Sequence, residues 1–156
     1  MLGGLARWLR AAGYEAHFEY GIADRELVRR AREGGGVLLS SDGPLFERTV
    51  IRSGVVEALY IPQQMSNLQQ LHFVMSRLTL PLLPPRCMSC GGELLPLPKH
   101  EVMDEAPPLA YRHCSEFFRC GSCGKLFWKG THWQKIQQRL DEADRQVRLR
   151  GPEGNP

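Results

Sequence analysis

The stretch Val37-Leu38-Leu39-Ser40-Ser41-Asp42 decides the class of fold that we expect for this chain of 156 residues. It is a short apolar run that ends in two small polar residues and an acid, which is typical of a buried strand in a parallel sheet. In an open α/β sheet, ligands bind beyond the carboxyl ends of the strands. The stretch therefore predicts an α/β fold with Asp42 at the functional edge of the sheet.

The surrounding sequence extends this pattern into alternating helices and strands. The apolar residues repeat with helical or strand periodicity in several segments. In chain order these segments are the helices 2–12, 24–33, 42–53 and 68–78 and the strands 15–20, 37–40 and 55–61. Helices and strands that alternate across short links predict a mostly parallel sheet with helices on its faces. We therefore expect an α/β domain over residues 1–80.

Composition excludes several classes of protein. Hydrophobic residues make up 42% of the chain, charged residues 24%, and the net charge is +3, which are ordinary values for a globular protein. No apolar run approaches the roughly 20 residues that cross a bilayer, so we expect no membrane partner. Arg7 and Arg10 interrupt the first apolar stretch, which is therefore not a secretory signal. The sequence predicts a cytoplasmic protein.

Four of the five cysteines form two C-x-x-C pairs, Cys87 with Cys90 and Cys120 with Cys123. A glycine follows each pair and permits positive φ, so that backbone N–H groups can point at the sulfurs. Two such turns supply four thiolates, the tetrahedral set that suits structural zinc. The 29 residues between the pairs exceed the usual ribbon spacing, and a redox C-x-x-C or an iron–sulfur site are the competing interpretations. We predict a closed zinc site without a catalytic role.

The cysteine pairs also define the remaining organisation of the chain. A proline-rich link begins at Thr79, because proline and the residue before it both resist helix. We expect a zinc ribbon over residues 81–132, a polar helix over 133–150 and a tail over 151–156. The remaining thiol, Cys114, is expected to be a small, partly buried residue, and His113 or His132 could replace a cysteine as ligand.

Residues 111–135 combine positive charge with aromatic rings. Five basic residues face a single acid in this window. Cations for phosphates and π faces for bases are what a single-stranded nucleic-acid surface requires. The alternative is that the rings form the core of a small domain and the cations its solvated face. The residues that we expect to bind nucleic acid here are Lys125, Lys129, Lys135, Trp128 and Trp133.

Asp24 and Asp42 are the acids with a candidate role in chemistry. Asp24 begins the helix before the predicted strand 37–40, and Asp42 follows that strand, so the two can lie at the same edge of the sheet. Carboxylates gathered at such an edge bind Mg²⁺ or Mn²⁺ through oxygen. Both acids are equally well placed as helix N-caps, for which aspartate is among the best residues. The residues alone leave these two interpretations open.

The chain resembles the Mut-seven C-terminal RNase domain family in several separate motifs. The similar segments are Leu2–Tyr14, Ala23–Leu27, Val37–Asp42, the two C-x-x-C turns and Phe118–His132. The resemblance implies a PIN-like nuclease fold with an appended zinc ribbon and metal-dependent cleavage of RNA. It implies structural Zn²⁺ on the four cysteines and catalytic Mg²⁺ or Mn²⁺ on Asp24 and Asp42. We expect Arg7 and Arg10, on the exposed side of the first helix, to rim the RNA cleft.

The resemblance also raises an expectation about the sheet. The family places a strand that ends in aspartate directly before the Leu-Gly-x-Leu-Ala-Arg helix, whereas this chain begins at Met1. We therefore expect a gap or an unpaired edge between the strands at 15–20 and 55–61, and weak or absent RNase activity until an upstream segment is restored. A third acid would otherwise be Glu19 or Glu26. The alternative function is a non-catalytic RNA- or partner-binding zinc-ribbon protein.

Overall fold

The computed structural model describes residues 2–150, and its N-terminal half is a helix-rich α/β layer. Its elements in chain order are α1 (Gly3–Ala11), α2 (Asp24–Gly34), β1 (Leu38–Ser40), α3 (Gly43–Phe46), α4 (Thr49–Arg52), β2 (Ala58–Tyr60) and α5 (Asn67–Arg77). The strands β1 and β2 pair in parallel, with Leu38 opposite Ala58 and Ser40 opposite Tyr60. The predicted α/β class, a small parallel sheet with flanking helices, is confirmed.

Two of the predicted elements differ from the structure. The segment 15–20 is not a strand, because residues 15–19 have no regular secondary structure and Tyr20 lies in a turn. Alternation of apolar and polar residues predicts which side chains are buried, but a strand also needs a neighbouring strand to pair with. The predicted helix 42–53 is interrupted and forms the two short helices α3 and α4.

The C-terminal part contains an antiparallel sheet with an inserted loop. Its strands are β3 (Leu94–Leu97), β4 (Phe117–Cys120) and β5 (Leu126–Trp128), in the order β3-β4-β5. A 3₁₀ turn and the short helix α6 (Pro108–His113) lie between β3 and β4. The buried side chains of Phe117 and Val102 pack together in a small core of their own. The length between the cysteine pairs is thus taken up by an ordered insertion.

The last helix, α7 (Thr131–Arg150), returns to the N-terminal half. Its buried side chains Leu140 and Ala143 belong to the same hydrophobic cluster as Leu5 of α1 and Val74 of α5. Burying one Leu side chain contributes about 1.5–3 kcal/mol. The helix therefore completes the largest core of the molecule. Of the helices within residues 2–150, none has the length and apolar character needed to span a bilayer.

Candidate metal centre and nucleic-acid cleft

The two C-x-x-C turns face each other and bring four sulfur atoms together. All four Sγ atoms lie within 4.8 Å of one another. Cys90 Sγ lies 3.4 Å from Cys120 Sγ, and Cys87 Sγ lies 3.7 Å from Cys123 Sγ. Four sulfurs around one tetrahedral zinc at about 2.3 Å would stand about 3.8 Å apart. The predicted grouping of the four cysteines is confirmed, and its spacing fits a metal with tetrahedral thiolate coordination.

Backbone amides of each turn point at the sulfurs, as predicted. Gly91 and Gly124 adopt φ values of +84° and +73°, in the left-handed region that favours glycine. In the second turn, the amides of Ser122 and Cys123 donate to Cys120 Sγ at 3.4 Å and 3.5 Å. Amide hydrogen bonds of this kind favour the charged form of a sulfur. The turns are therefore built to hold thiolates.

Gly92 allows the two turns to approach each other closely. A Cβ atom at this position would lie 2.7 Å from Cys120 Sγ and 2.5 Å from Ser122 Oγ. Real Cβ atoms do not tolerate such contacts, so any side chain at residue 92 would push the second turn away. The sequence Cys90-Gly91-Gly92 thus uses its first glycine for backbone conformation and its second for space.

Protonation of the sulfurs also fits a cation site. Burial raises the pKa of Cys120, but hydrogen bonds from the Cys123 and Ser122 amides and from the Cys90 and Cys123 sulfurs together outweigh burial and lower the pKa to about 6. A hydrogen bond from the Gly92 amide lowers the pKa of Cys90. The hydrogen bond between the Cys90 and Cys120 sulfurs, together with burial, outweighs that effect and raises the pKa of Cys90 to about 12. Neighbouring sulfurs therefore compete for a proton. A bound divalent cation would replace the shared protons.

The other proposed metal ligands lie outside this cluster. Within residues 2–150, the four cysteines are the one group of three or more Cys, His, Asp or Glu side chains close enough to hold a metal. Cys114 is buried against the separate core around Phe117, as its small size suggested. His113 and His132 are exposed and outside the group, so the structure gives no support to either as a substitute ligand.

Arg10 is buried, so the prediction that it lies on the exposed side of α1 is wrong. Only 8% of the residue is accessible. Its Nε donates to the carbonyl oxygen of Ala16 at 2.7 Å, and its Nη1 donates to those of Ser89 at 2.9 Å and Met88 at 3.2 Å. The first C-x-x-C turn therefore lies against the side of α1 that carries Arg10. Arg10 joins that turn to α1, whereas Arg7 is exposed as predicted.

Asp42 and Asp24 lie on different elements near β1. Asp42 directly follows β1, and its backbone N–H donates to Ser40 Oγ at 3.1 Å. Its exposed carboxylate occupies the N-cap position of α3 but makes no capping hydrogen bond. Asp24 begins α2 and accepts a hydrogen bond from Arg48 Nη2 at 3.3 Å. Neither aspartate side chain therefore acts as a helix cap, the alternative that the sequence left open.

Both candidates for a third acid, Glu26 of α2 and Glu19 before it, form ion pairs with arginines of α2. Glu26 Oε1 lies 2.7 Å from Arg29 Nη2 and 2.8 Å from Arg30 Nε, and Glu19 Oε2 lies 2.9 Å from Arg30 Nη1. Hydrogen bonds from Arg29 and Arg30 lower the pKa of Glu26 to about 2. These carboxylates are neutralised by arginines, so they are poorly suited to hold a cation.

A large cavity lies beside β1. Its volume is about 1240 Å³, and its walls include apolar side chains of α1, β1 and α5 such as Leu9, Leu39 and Val74. The irregular segment 14–22 forms the opposite wall. Among the described residues, β2 is the one strand that pairs with β1, so the other edge of β1 has no strand partner. A gap therefore exists, but it lies between β1 and the segment 14–22.

A second cleft separates the two halves on the other side of α1. It has a volume of about 600 Å³ and lies between α1, α7 and the second C-x-x-C turn. Asp and Glu do not occur among its described lining residues. Five of the residues predicted to bind nucleic acid line it, namely Arg7, Lys125, Trp128, Trp133 and Lys135. We call it the basic cleft.

Sequence reasoning missed three basic residues of the basic cleft and included one that lies outside it. Arg86, His132 and Arg139 also line the cleft. Arg139 follows Lys135 by four residues on α7, and this helical spacing was a usable signal. Arg86 carried no local signal, since it stands in the proline-rich link. Lys129 does not line the cleft, and its Nζ lies 2.9 Å from Glu116 Oε1.

The fold and the site together define a class of protein, an α/β layer with an appended antiparallel module that gathers four cysteines. Residues 1–140 match the family model of the Mut7-C RNAse domain, and the chain belongs to this family. The resemblance indicated by the sequence motifs is thereby confirmed. No curated protein and no solved structure matches the chain.

Proposed function

We propose that this protein is a metal-dependent ribonuclease that hydrolyses phosphodiester bonds in single-stranded RNA. The observation that carries the proposal is the basic cleft, whose described lining combines cations with aromatic rings and contains no carboxylate. Such a surface attracts phosphates and offers π faces to unpaired bases. Membership of the Mut7-C RNAse domain family supports RNA as the substrate and phosphodiester cleavage as the reaction.

Zinc is the structural cofactor in this proposal, and Cys87, Cys90, Cys120 and Cys123 would hold it. Four thiolates occupy every position of a tetrahedral zinc, which leaves none for substrate. The metal would stabilise the turn that carries Lys125 into the basic cleft. All five cysteines are free of disulfides, which suits the reducing cytoplasm where we place the protein.

Asp24 and Asp42 are the residues that would hold catalytic Mg²⁺ or Mn²⁺. The Asp42 carboxylate is exposed and makes no capping hydrogen bond, so its oxygens are available to bind a hard cation. Arg48 would have to share or release Asp24 for both acids to bind the same ion. A divalent cation bound there would supply a water of lowered pKa and neutralise the leaving oxygen. The role of the two aspartates is to hold and orient that cation.

The basic cleft and the cavity beside β1 meet at Ser89 of the first C-x-x-C turn, and we call the edge of that cavity that carries Asp42 the acidic edge. Ser89 lines both the basic cleft and the cavity beside β1, and Asp42 lines that same cavity. An RNA strand held in the basic cleft would therefore reach the acidic edge by passing over Ser89. This continuity favours a binding cleft that feeds a cleavage site.

One observation favours a second function, a non-catalytic RNA- or partner-binding protein. Within residues 2–150, the carboxylates form no cluster of three that could hold a metal. Two-metal nucleases generally use several carboxylates at one site. In this alternative, the basic cleft binds RNA and the acidic edge performs no chemistry.

Cleavage of labelled single-stranded RNA tests the proposal against this alternative. We expect cleavage that requires Mg²⁺ or Mn²⁺ and that Asp42→Asn abolishes. Glu47→Gln is the matched control, because Glu47 is an exposed acid at the end of α3 and should leave the rate unchanged. Cleavage that persists in Asp42→Asn would overturn the assigned site. RNA binding without metal-dependent cleavage would establish the alternative.

A further inference from the structure

The three tryptophans of the chain differ in how they are used. Trp8 packs against the main core and Trp128 against the small core around Phe117. Trp133, at the start of α7, is absent from the hydrophobic clusters formed by the described residues. It is half-buried and lines the basic cleft. Trp133 is therefore the one tryptophan outside the hydrophobic clusters of the described residues.

A stack of side chains supports one face of the Trp133 ring. Its centroid lies 5.7 Å from that of Phe118, with an interplanar angle of 14°. Lys129 Nζ lies 5.6 Å from the centroid of Phe118. Aromatic groups favour offset stacking at such distances. The stack holds the indole in a fixed orientation, and Trp133 also lines the basic cleft.

Cations from three parts of the chain line the same cleft as Trp133. Arg139 follows on α7, Arg7 comes from α1, and Arg86 comes from the link before the first C-x-x-C turn. Within the described part of the chain, no carboxylate lies within ion-pairing distance of these three arginines. Arg29 and Arg30 of α2 and Arg145 of α7, by contrast, are paired with glutamates. Three arginines without a carboxylate partner among the described residues therefore line the same cleft as Trp133.

We infer that the basic cleft contains a nucleotide subsite, in which an unpaired base stacks on Trp133 and Arg139, Arg86 and Arg7 hold the adjoining phosphates. This inference rests on the proposed function and deepens it. The volume of about 600 Å³ lies within the roughly 300–1,000 Å³ of small-ligand pockets, which suits one or two nucleotides and is too small for a duplex. A base inside a duplex has no free face to offer, so the subsite selects single-stranded RNA.

The test compares a labelled RNA decamer with a decamer of the same backbone that lacks its bases, using fluorescence anisotropy without added Mg²⁺ or Mn²⁺. The wild-type chain should bind the normal strand about tenfold more tightly than the abasic strand, since one stacked base contributes about that factor. Trp133→Leu should reduce this preference to less than about twofold, and Trp133→Phe should retain most of it.

Arg139→Ala tests the phosphate contacts, with Arg145→Ala as a control of equal charge change on the same helix. Arg139→Ala should weaken binding of both strands and reduce the salt slope by about 0.7, whereas Arg145→Ala should change neither. Circular dichroism and metal content confirm that each variant is folded. If the wild-type chain binds RNA and neither cleft variant differs from it, the subsite is wrong and the proposed function stands. If the wild-type chain binds no RNA, both are wrong.

Discussion

At the scale of single residues, two arginines attach the first C-x-x-C turn to the N-terminal half. Arg10 donates three hydrogen bonds from its buried guanidinium, two of them to the turn residues Met88 and Ser89. Arg86 Nε donates to the carbonyl oxygen of Gly91 at 2.6 Å, and its backbone N–H donates to that of Arg10 at 2.9 Å. The metal centre is therefore tied to α1 by side-chain and backbone bonds.

Arg10→Ala should destabilise the fold by about 3 kcal/mol. The change removes hydrogen bonds from a charged donor and leaves the carbonyl oxygens of Ala16 and Ser89 without this partner. Arg7→Ala is the control, because Arg7 lies on the same helix but is exposed, and its effect should stay within about 0.5 kcal/mol. Chemical denaturation measures both. Equal stabilities of the two variants would contradict the structural role of Arg10.

Cys120→Ser should release the metal and unfold the C-terminal module. Cys120 is buried at the centre of the cluster and accepts two amide hydrogen bonds, and structural zinc sites contribute their binding energy to folding. Cys114→Ser removes a buried thiol outside the cluster and should retain about one zinc per chain. Mass spectrometry of the bound metal measures the zinc content of the two variants. Full zinc occupancy in Cys120→Ser would refute the assignment.

The cysteine cluster and the role of Arg10 differ in how far the sequence could predict them. Each C-x-x-C pair folds into its turn through contacts a few residues apart, so the spacing alone indicated the site. The partners of Arg10 on the turn are 78 and 79 residues away, and helical periodicity gives no information on which distant segment covers a helix face. The pairing of Asp24 with Arg48 was hidden for the same reason.

At the scale of elements, α7 connects the core to the basic cleft. Its residues Leu140 and Ala143 are buried in the main core that α1 and α5 also form, while Trp133 and Arg139 line the cleft. The sequence predicted a polar helix at nearly the observed position, because its composition and periodicity are local properties. Its packing against α5 was not predictable, because a stripe of apolar residues does not specify its partner.

Leu140→Ala should lower the free energy of unfolding by about 2–5 kcal/mol, since it leaves a cavity in the main core. Leu140 is 2% exposed, whereas Leu149 on the same helix is 85% exposed. Leu149→Ala should change stability by less than about 0.5 kcal/mol. Urea unfolding of the two variants gives the comparison. A small effect at Leu140 would show that α7 is not docked as described.

The lysines near the second C-x-x-C turn should contribute unequally to RNA binding. Lys125 and Lys135 line the basic cleft, so Lys→Ala at either should reduce the salt slope of single-stranded RNA binding by about 0.7. Lys129 is paired with Glu116 outside the cleft, and its substitution should change the slope little. Binding titrations over a range of salt concentrations measure the slopes. An unchanged slope in the Lys125→Ala, Lys135→Ala double variant would leave these residues as solubilising charge.

The sheet shows where prediction from sequence ends. The run 37–40 and the segment 55–61 were recognisable as strands because they are apolar and bounded by turn residues, and they became β1 and β2. The segment 15–20 also looked like a strand because its apolar and polar residues alternate. In the structure it lines the cavity of about 1240 Å³ beside β1. Alternation without a pairing partner does not produce a strand.

At the scale of the whole molecule, α1 separates two spaces with different chemistry. The basic cleft on one side carries cations and aromatic rings, and the cavity beside β1 on the other carries an unpaired strand edge and Asp42.

The most direct test of the central claim is cleavage of an end-labelled single-stranded RNA with Mg²⁺ or Mn²⁺, measured for the chain and for its Asp42→Asn variant. We predict metal-dependent cleavage by the chain that Asp42→Asn abolishes. If the chain binds the RNA but cleaves it no faster than its Asp42→Asn variant, the protein is not a ribonuclease.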